Sequence, residues 1–390
     1  MNELALLFLL LPVAAFSGWY VARRGSERSS GLRVNELSTS YFRGLNYLLN
    51  EQQDKAIEVF LKLADINRDT VETHLALGNL FRRRGEVDRA IRVHQNLIAR
   101  PTLNDAEKTV ALLELGEDYM RAGLLDRAET LFIDLVAMDS MAPSALKHLI
   151  AIYQHERDWD QAIDHARRLE RISGESQGSI IAQFYCELSE QVRAQLDWDE
   201  ARRYIDLAYE ADPDCVRAGI IAGNVEASCD RLDRAIAAFE RVVDQDVDYV
   251  PEVLAPLLEC YARADRLQRA EEFLLATTER YQGVSPVLAL AKLYAKTRGE
   301  PAAIEFLNRA LRQRPSVRAL MALIDVNLHS ANGEGREIFL SLRDLTRKLL
   351  EGQAMYRCSK CGFGAKAHHW QCPSCKTWDS VRPIHGVVGE

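Results

Sequence analysis

A short motif recurs along most of the chain, and its period constrains the fold more than any other feature. The motif is an acid or amide, then any residue, then alanine. Its alanines are separated by 34, 38, 34, 39, 34, 35 and 33 residues. A period of about 34 residues built around one small residue indicates an array of similar helical units that are stable only when stacked. The alanines of the motif are Ala56, Ala90, Ala128, Ala162, Ala201, Ala235 and Ala270, and Ala303 continues the series without the preceding acid or amide.

Other residues recur at fixed offsets from these alanines. Glycines stand twelve residues before four of them, at Gly44, Gly78, Gly116 and Gly223. Phenylalanines stand four residues after three of them, at Phe60, Phe132 and Phe239. This pattern is typical of tetratricopeptide repeats, in which each repeat is a pair of helices. It predicts an all-α tetratricopeptide-repeat superhelix of eight to nine repeats over residues 37–350. The aspartates before several key alanines are predicted to cap the second helix of each pair.

The first helices of such pairs line a concave surface that binds other molecules. Positions one and four residues after the glycine position usually face that surface. Their mixed charges and amides favour a peptide or protein partner, although exposed charge is also the ordinary state of such side chains. The candidate partner-binding residues are Asn79, Arg82, Glu117, Gln154, Arg193 and Asn224.

The N-terminus carries a long apolar segment. Residues Leu4 to Ala22 include no charge, and as a helix these 19 residues would span about 28 Å, close to the thickness of a bilayer core. Arg23 and Arg24 follow at once, and the only preceding charge is Glu3. A cleaved signal peptide needs a positive segment before its apolar run. The pattern therefore predicts a transmembrane anchor at residues 1–24 and a linker at 25–36, with the bulk of the chain on the cytoplasmic side.

Small residues recur on one side of the predicted anchor. Ala14, Gly18 and Ala22 are spaced four residues apart, which places them in one ridge along a helix. Such a ridge lets another membrane helix approach closely, whereas alanine and glycine are also simply common in membrane helices. We therefore interpret the ridge as a candidate helix-packing surface.

The last forty residues contain a second pattern, C-x2-C-x10-C-x2-C. Its cysteines, Cys358, Cys361, Cys372 and Cys375, have the spacing of a tetrahedral site for one metal ion, iron or zinc. Four cysteine ligands leave no open coordination position, which disfavours hydrolytic metal catalysis. A structural metal is the favoured interpretation, and electron transfer through iron is the alternative.

The residues around these cysteines suggest how so small a domain is held. A domain of residues 354–390 is too short to fold without a metal or a partner surface, so we expect it to dock against the solenoid. Tyr356, Phe363, Trp370 and Trp378 are expected to form its core. His368 and His369 are interpreted as surface residues.

The remaining composition narrows the classes of function. The chain has 49 basic and 57 acidic residues, a net charge of −8, which argues against nucleic acid as the main partner. No phosphate-binding loop, nucleophile elbow, HExxH motif or dinucleotide fingerprint occurs, so we expect no enzymatic activity. Cys186, Cys215, Cys229 and Cys260 are interpreted as small core residues. A homo-oligomer remains an open alternative.

The order of these parts resembles that of one family. The chain has LALLFLLLPVAAFSGWYVARR at residues 4–24, LGNLFRRRGEVDRAIRVHQ at Leu77–Gln95, and YRCSKCGF and WQCPSCKTW between residues 356 and 378. Together these segments are similar to the lipopolysaccharide assembly protein B family of Gram-negative bacteria. The resemblance implies an inner-membrane protein with a rubredoxin-like domain, whose metal is held by Cys358, Cys361, Cys372 and Cys375. The lysine after Cys375 departs from the glycine that rubredoxins usually carry there.

The resemblance also implies partners. The family acts with a membrane-bound ATP-dependent metalloprotease to promote degradation of the deacetylase that commits carbon to lipid A. An inner-membrane regulator with a large periplasmic domain opposes it. The hypothesis that follows is a non-enzymatic adaptor that regulates lipopolysaccharide synthesis. The alternative within the same pathway is a scaffold that assembles its enzymes at the membrane.

Overall fold

A computed structural model describes residues 39–47, 50, 52–66, 71–138 and 141–390. The predicted anchor at residues 1–24, the linker at 25–36 and the Ala14, Gly18 and Ala22 ridge lie outside the described residues. Among the helices that the structure describes, none is both long and apolar enough to cross a membrane. The contacts divide the chain into two compact units. The first contains the described residues up to Asp158 together with Arg171–Gly174, and the second contains Trp159–Glu170 and Glu175–Glu390.

The first unit consists of helices that follow one another through short connections. After α1, whose described part is residues 39–47, they are α2 (Gln53–Ile66), α3 (Val71–Arg84), α4 (Val87–Ile98), α5 (Asp105–Arg121), α6 (Leu125–Ala137) and α7 (Ala142–Glu156). From α2 to α7, each helix packs against the next one along the chain. This is the arrangement of tetratricopeptide repeats.

The second unit continues the same pattern and ends in a small sheet. Its helices are α8 (Trp159–Ser173, to Glu170 in this unit), α9 (Gly178–Ala194), α10 (Trp198–Ala211), α11 (Val216–Ser228), α12 (Leu232–Gln245), α13 (Val250–Arg263), α14 (Leu267–Arg280), α15 (Ser285–Arg298), α16 (Glu300–Gln313), α17 (Val317–Ser330) and α18 (Glu334–Leu350). A 3-10 turn, Val247–Tyr249, precedes α13. Three strands follow: β1 (Tyr356–Cys358), β2 (Gly364–Ala365) and β3 (Val381–Pro383).

The repeated alanines explain how the helices of a pair come together. All eight key alanines lie on even-numbered helices, and none exposes more than 1% of its surface. A methyl group is the largest side chain that permits such close packing of two backbones. The prediction of helix pairs is therefore confirmed on the residues from which it was made.

The glycines and phenylalanines of the pattern face each other. A methyl group added to Gly116 of α5 would lie 2.6 Å from the ring of Phe132 on α6. The corresponding separation is 2.8 Å for Gly44 and Phe60. In the second unit it is 2.5 Å for Gly223 and the ring of Phe239. Each ring thus fills the space that the missing side chain leaves, sixteen residues earlier in the same repeat.

One repeat has a hydrogen-bonded histidine in place of the ring, which the sequence pattern did not predict. Gly78 faces His94, which holds the phenylalanine position of its repeat, and a methyl group on Gly78 would lie 2.3 Å from the imidazole Nε2. The Nδ1 of His94 is 2.6 Å from a carboxylate oxygen of Asp118, and both side chains are fully buried. The other oxygen of Asp118 accepts a hydrogen bond of 2.7 Å from Arg82. A buried carboxylate needs such partners because water cannot reach it.

The predicted aspartate caps are not formed at most repeats. Asp88, Asp126 and Asp233 lie inside the first turn of α4, α6 and α12, and the residue before each helix makes no side-chain capping bond. Their position still suits the positive end of the helix dipole. At α10 the capping aspartate is Asp197, which precedes the helix and accepts a bond of 3.1 Å from the backbone of Glu200. The capping prediction was wrong because these helices begin one residue before the aspartate.

The contact between Gly116 and Phe132 can be tested by replacing two glycines with alanine. We expect the two substitutions to change the free energy of unfolding in opposite directions. We expect Gly116→Ala to lower the free energy of unfolding by about 1–3 kcal/mol, because the new methyl group overlaps the buried ring. Gly335→Ala in α18 is the control, since open space surrounds that position and alanine favours a helix by up to about 1 kcal/mol. Urea denaturation followed by circular dichroism measures both. A stabilised Gly116→Ala protein would contradict this packing.

Candidate metal centre

The C-terminal module, residues 354–390, is organised by a three-stranded antiparallel sheet in the order β2-β1-β3. Tyr356 of β1 lies opposite Ala365 of β2 and Pro383 of β3. The first cysteine pair begins at the end of β1, because Cys358 is the last residue of that strand. The second pair lies in the turn between Gln371 and Trp378, which form an isolated β-bridge. The sheet therefore fixes both ends of the segment that carries the four thiols.

The four cysteine sulfurs converge on one point. All lie within 4.8 Å of one another, and the sulfurs of Cys358 and Cys375, like those of Cys361 and Cys372, are 3.7 Å apart. A tetrahedron with metal–sulfur bonds of about 2.3 Å has edges of about 3.8 Å, so these distances fit one metal ion. The module thus binds one ion, zinc or iron, through these four cysteines. Cys358 and Cys372 are buried, whereas Cys361 and Cys375 are exposed.

The surroundings of the thiols favour deprotonation at two of them. A hydrogen bond with Ser380, whose hydroxyl lies 3.4 Å from the sulfur, and backbone N–H groups lower the pKa of Cys358 to about 6. Hydrogen bonds from Thr377 lower the pKa of Cys375. Burial instead raises the pKa of Cys372 to about 11. A bound cation supplies the charge that a buried thiolate at Cys372 requires.

The two cysteine turns have corresponding backbone hydrogen bonds but carry different residues at the position after the second cysteine. The backbone N–H of Cys358 donates to Phe363 (2.8 Å) and that of Cys372 donates to Thr377 (2.9 Å). In each turn the residue after the second cysteine adopts positive φ, +77° at Gly362 and +58° at Lys376. Glycine adopts this conformation at no steric cost, and lysine does not. The unusual lysine noted in the sequence therefore occupies a conformation that favours glycine.

The module docks against helices of the second unit, as predicted. The rings of Tyr249 and Trp370 stack with centroids 5.3 Å apart, and the Tyr249 hydroxyl donates to Asp379. Arg382 lies over the same tyrosine ring and donates to Asp246 at 2.5 Å. Burial raises the pKa of Tyr249, which keeps its hydroxyl a donor. The start of α13 and its preceding turn are thus one half of this interface.

The other half surrounds a buried arginine. Arg217 at the start of α11 lies between two module tryptophans, 5.4 Å from the ring of Trp370 and 5.7 Å from that of Trp378. It also donates to Glu187 at 2.8 Å. Trp378 makes edge contacts with Trp159, a residue of α8. These tryptophans were expected in the core of the module and instead pack against the solenoid. The core of the module consists of Tyr356, Cys358, Ala365, Cys372 and Val381, with Met355 and Phe363 beside it.

The two histidines have different environments. His369 is exposed, as expected. His368 packs edge-on to Tyr249, Tyr356 and Trp370, with centroids 4.5–5.7 Å away, and burial lowers its pKa to about 4. The surface assignment of His368 was therefore wrong, because the ring belongs to the docking interface.

The last residues of the chain attach to the solenoid as well. The backbone N–H of Val317 donates to Val387 at 2.8 Å, and Arg318 donates to the carbonyl of Gly389 at 3.1 Å. The side chain of Glu390 accepts a bond of 2.9 Å from the backbone of Ser285. The interface thus extends from α8 to α17.

The six candidate partner-binding residues all lie on odd-numbered helices and are half-buried. Arg82 is held by Glu114, Glu117 and Asp118, at distances of 2.6–2.8 Å. Glu117 also meets His148 at 3.2 Å. In the second unit, Arg193 pairs with Glu190 at 2.6 Å. These residues stay predictions as partner sites. They are Asn79 and Arg82 on α3, Glu117 on α5, Gln154 on α7, Arg193 on α9 and Asn224 on α11.

The solenoid cysteines occupy the core, as interpreted, with one exception. Cys186, Cys215 and Cys260 are buried, whereas Cys229 is half-buried and lies 3.1 Å from Arg202. The sulfurs of Cys186 and Cys215 are 3.9 Å apart, although 29 residues separate them in sequence. Sequence spacing gave no indication of this contact.

The lysine at positive φ yields a prediction for the stability of the module. We expect Lys376→Gly to stabilise the metal-loaded module by about 1 kcal/mol, because it relieves the backbone. Lys376→Ala is the control, since it removes the same charge and keeps the strain. The rate at which a coloured chelator removes the metal is the measurement. Equal rates for the two variants would show that the charge of Lys376 matters and its conformation does not.

The arginine between two tryptophans yields a second prediction. Arg217→Met keeps the apolar stem and removes the cation–π contacts, each worth about 0.5–2 kcal/mol, so we expect the module to open about tenfold more often. Amide hydrogen exchange of residues 356–383 reports that opening. Arg241→Met is the control, because Arg241 contacts Tyr209 and lies outside the interface. Unchanged exchange in Arg217→Met would remove Arg217 from the docking interface.

Comparison with known proteins agrees with both parts of this architecture. A family model described as a rubredoxin metal binding domain matches residues 356–383. Tetratricopeptide-repeat models match residues 73–107, 113–176 and 192–249. Among solved structures, the C-terminal part of a TPR repeat-containing protein from Cytophaga hutchinsonii is similar with a TM-score of 0.41 at 15% identity, over 68% of this chain and 98% of that chain.

Full-length relatives are more similar. Lipopolysaccharide assembly protein B of Escherichia coli (strain K12) is 40% identical over 387 residues, 99% of this chain and 100% of the relative. The protein of the same name from Haemophilus influenzae is 35% identical over 388 residues, 97% of this chain and 98% of the relative. The alignments include the repeats and the metal module together. The chain therefore belongs to the lipopolysaccharide assembly protein B family.

Proposed function

We propose that this protein is a non-enzymatic adaptor that regulates lipopolysaccharide synthesis. It presents the lipid A deacetylase to a membrane-bound ATP-dependent metalloprotease, and a membrane regulator with a periplasmic domain opposes it. Relatives that align over their whole length are named for lipopolysaccharide assembly, which supports the pathway. The protease and the deacetylase come from the family resemblance and remain part of the proposal.

The observation that carries the adaptor role is the closed metal centre built into the solenoid. Four cysteine sulfurs complete the coordination of one ion, whereas catalytic zinc sites keep a position for water or substrate. The stacked Tyr249 and Trp370 and the buried Arg217 fix the module to the repeats. Because the metal ion is fully ligated and its module is packed against the repeats, we assign the metal a structural role. Partner binding by the repeats is then the proposed function of the protein.

The repeats supply candidate binding surfaces of defined chemistry. On the first unit, Arg82 pairs with Glu114 and Glu117, which are partly exposed, and with Asp118, which is fully buried, so the accessible surface around Arg82 has two carboxylates for one guanidinium. Such a surface favours a partner segment with lysine or arginine. We propose that the candidate residues Asn79 and Glu117 contact a partner there.

The proposed location is the inner membrane, with one span and the bulk of the chain in the cytoplasm. Residues Leu4 to Ala22 are uncharged, and Arg23 and Arg24 follow, which supports retention of this flank on the cytoplasmic side. Anchoring confines the adaptor to the surface on which a membrane protease works, so that the two meet at a high effective concentration.

The adaptor hypothesis predicts that folding and regulation can be separated. Deletion of residues 1–24 should leave a folded, metal-loaded protein that no longer shortens the lifetime of the deacetylase, because the adaptor is released from the protease. The measurement is the half-life of the deacetylase after translation is stopped, with metal content as the control for folding. Normal turnover in the deletion strain would exclude anchoring from the mechanism.

A milder variant tests the ridge of small residues, and its measurement is co-purification. Gly18→Leu keeps the anchor apolar and fills the ridge, so co-purification with the protease or the regulator should fall. Leu9→Ala, which shortens a side chain away from the ridge, is the matched control. If recovery of both partners is unchanged in Gly18→Leu, the ridge has no part in assembly.

Further measurements separate the adaptor from two alternatives, a scaffold and an electron-transfer protein. Proximity labelling in strains with and without the protease separates an adaptor from a scaffold, since a scaffold would still label synthesis enzymes when the protease is absent. Replacement of iron by zinc tests the electron-transfer alternative. A zinc-loaded protein that still shortens the lifetime of the deacetylase excludes that alternative.

A further inference from the structure

Helix α18, Glu334–Leu350, leaves a narrow apolar line in contact with solvent. Ile338, Leu342, Leu345 and Leu349 are 60%, 43%, 59% and 61% exposed. Their spacing of four, three and four residues is that of the a and d positions in a coiled coil. We call these four residues the α18 seam. The expected arrangement for a seam of this spacing is contact with another helix that carries the same repeat.

The seam is separate from the face by which α18 packs in its own unit. Phe339, Leu340, Arg343 and Leu350 are half-buried and Thr346 is buried, and α18 packs against α17. At 100° per residue the centre of this inner face lies about 120° around the helix from the seam. Contact with α17 therefore leaves the seam uncovered. In the described residues no helix follows α18, so no further repeat of this unit covers it.

Terminal units of a repeat array normally present a polar outer face, because nothing stacks on them. Here the last helix instead exposes four large aliphatic side chains in one line. The other exposed aliphatic residues of the second unit, such as Leu275 of α14, do not form a line of this length. The seam is thus an exception to the polar outer face of a terminal repeat, and an exposed apolar line of this kind indicates a binding partner.

We propose that the α18 seam pairs with the α18 seam of a second copy of this chain, with the two helices antiparallel. In that arrangement Leu342 of one copy faces Leu345 of the other, and Ile338 faces Leu349. Each of these contacts then occurs twice, related by one two-fold axis, which is the geometry of an isologous dimer.

The charges of α18 favour this orientation. Residues 334–342 carry a net charge of −1, and residues 343–350 carry +2. An antiparallel pair places Glu334 and Glu337 of one helix near the end that carries Arg347 and Lys348 in the other. A parallel pair would instead place like charges side by side, and it would also align the two helix dipoles. The helix is therefore complementary to itself in one direction only.

The size of the contact sets its expected strength. A helix of 17 residues is about 25 Å long, and four aliphatic residues per copy form a contact smaller than a standard interface of about 800 Å² per partner. We therefore expect an association that depends on concentration and that a membrane anchor would favour.

The test uses the full chain, metal-loaded and in detergent micelles. Light scattering coupled to size-exclusion chromatography should show a monomer–dimer equilibrium, and Leu342→Glu combined with Leu345→Glu should raise the dissociation constant at least tenfold. These side chains are exposed in the single copy, so the variant should keep its metal content and helicity. Leu275→Glu is the matched control, because Leu275 is equally exposed and stands on α14; it should leave the equilibrium unchanged.

Orientation is tested by charge reversal and by cross-linking. Arg347→Glu with Lys348→Glu should weaken the dimer, and adding Glu334→Lys with Glu337→Lys should restore it. A photoreactive residue at position 345, in a mixture of isotopically light and heavy chains, should form light–heavy cross-links to the segment around Leu342.

Three results would overturn the proposal. The first is a chain that is monomeric at every concentration. The second is a dimer that the seam variants leave intact, since the contact would then lie elsewhere, for example in the anchor. The third is a seam that cross-links only to lipid in vesicles of phosphatidylethanolamine and phosphatidylglycerol, which would assign it to the membrane surface.

Discussion

The close approach of two helices within each repeat is the constraint on which the rest of the structure depends. The key alanines, from Ala56 to Ala303, remove side-chain bulk where the second helix meets its neighbours. On the first helix of a repeat, a glycine opposite a ring, such as Gly116 opposite Phe132, likewise removes side-chain bulk. Because these contacts recur at each period, they fix the spacing of the array, and the array then places α9, α11 and α13 where the metal module can dock.

The metal module depends on two supports that act at different places. Four thiols around one ion hold the turns that carry Cys358 and Cys375, which a sheet of three short strands could not hold alone. The solenoid supplies the second support, because it buries aromatic rings that the module cannot cover by itself. Trp370 stacks on Tyr249 and, like Trp378, lies beside Arg217. The module therefore acts as an additional structural element of the second unit.

Sequence patterns predicted the features that depend on local spacing. The period of the alanines, the glycine and ring positions and the two cysteine pairs each involve residues of one repeat or one turn. The patterns failed where a contact joins distant residues. His94 stands at a ring position of the pattern, and only the carboxylate of Asp118 explains it. The placement of Trp370 and Trp378 outside the module core follows from the docking surface of α8 to α13, which no spacing encodes. The aspartate caps failed for a smaller reason, a difference of one residue in where the helices begin.

The linked side chains of His94, Asp118 and Arg82 have a consequence for how this family can diversify. At this position of three other repeats stands a phenylalanine, whose side chain has no hydrogen-bonding atom. Here the loss of any one member leaves a buried nitrogen or oxygen atom of another member without its hydrogen-bond partner. Evolution from this arrangement to an ordinary phenylalanine must therefore pass through coupled substitutions, and the three positions should be inherited together.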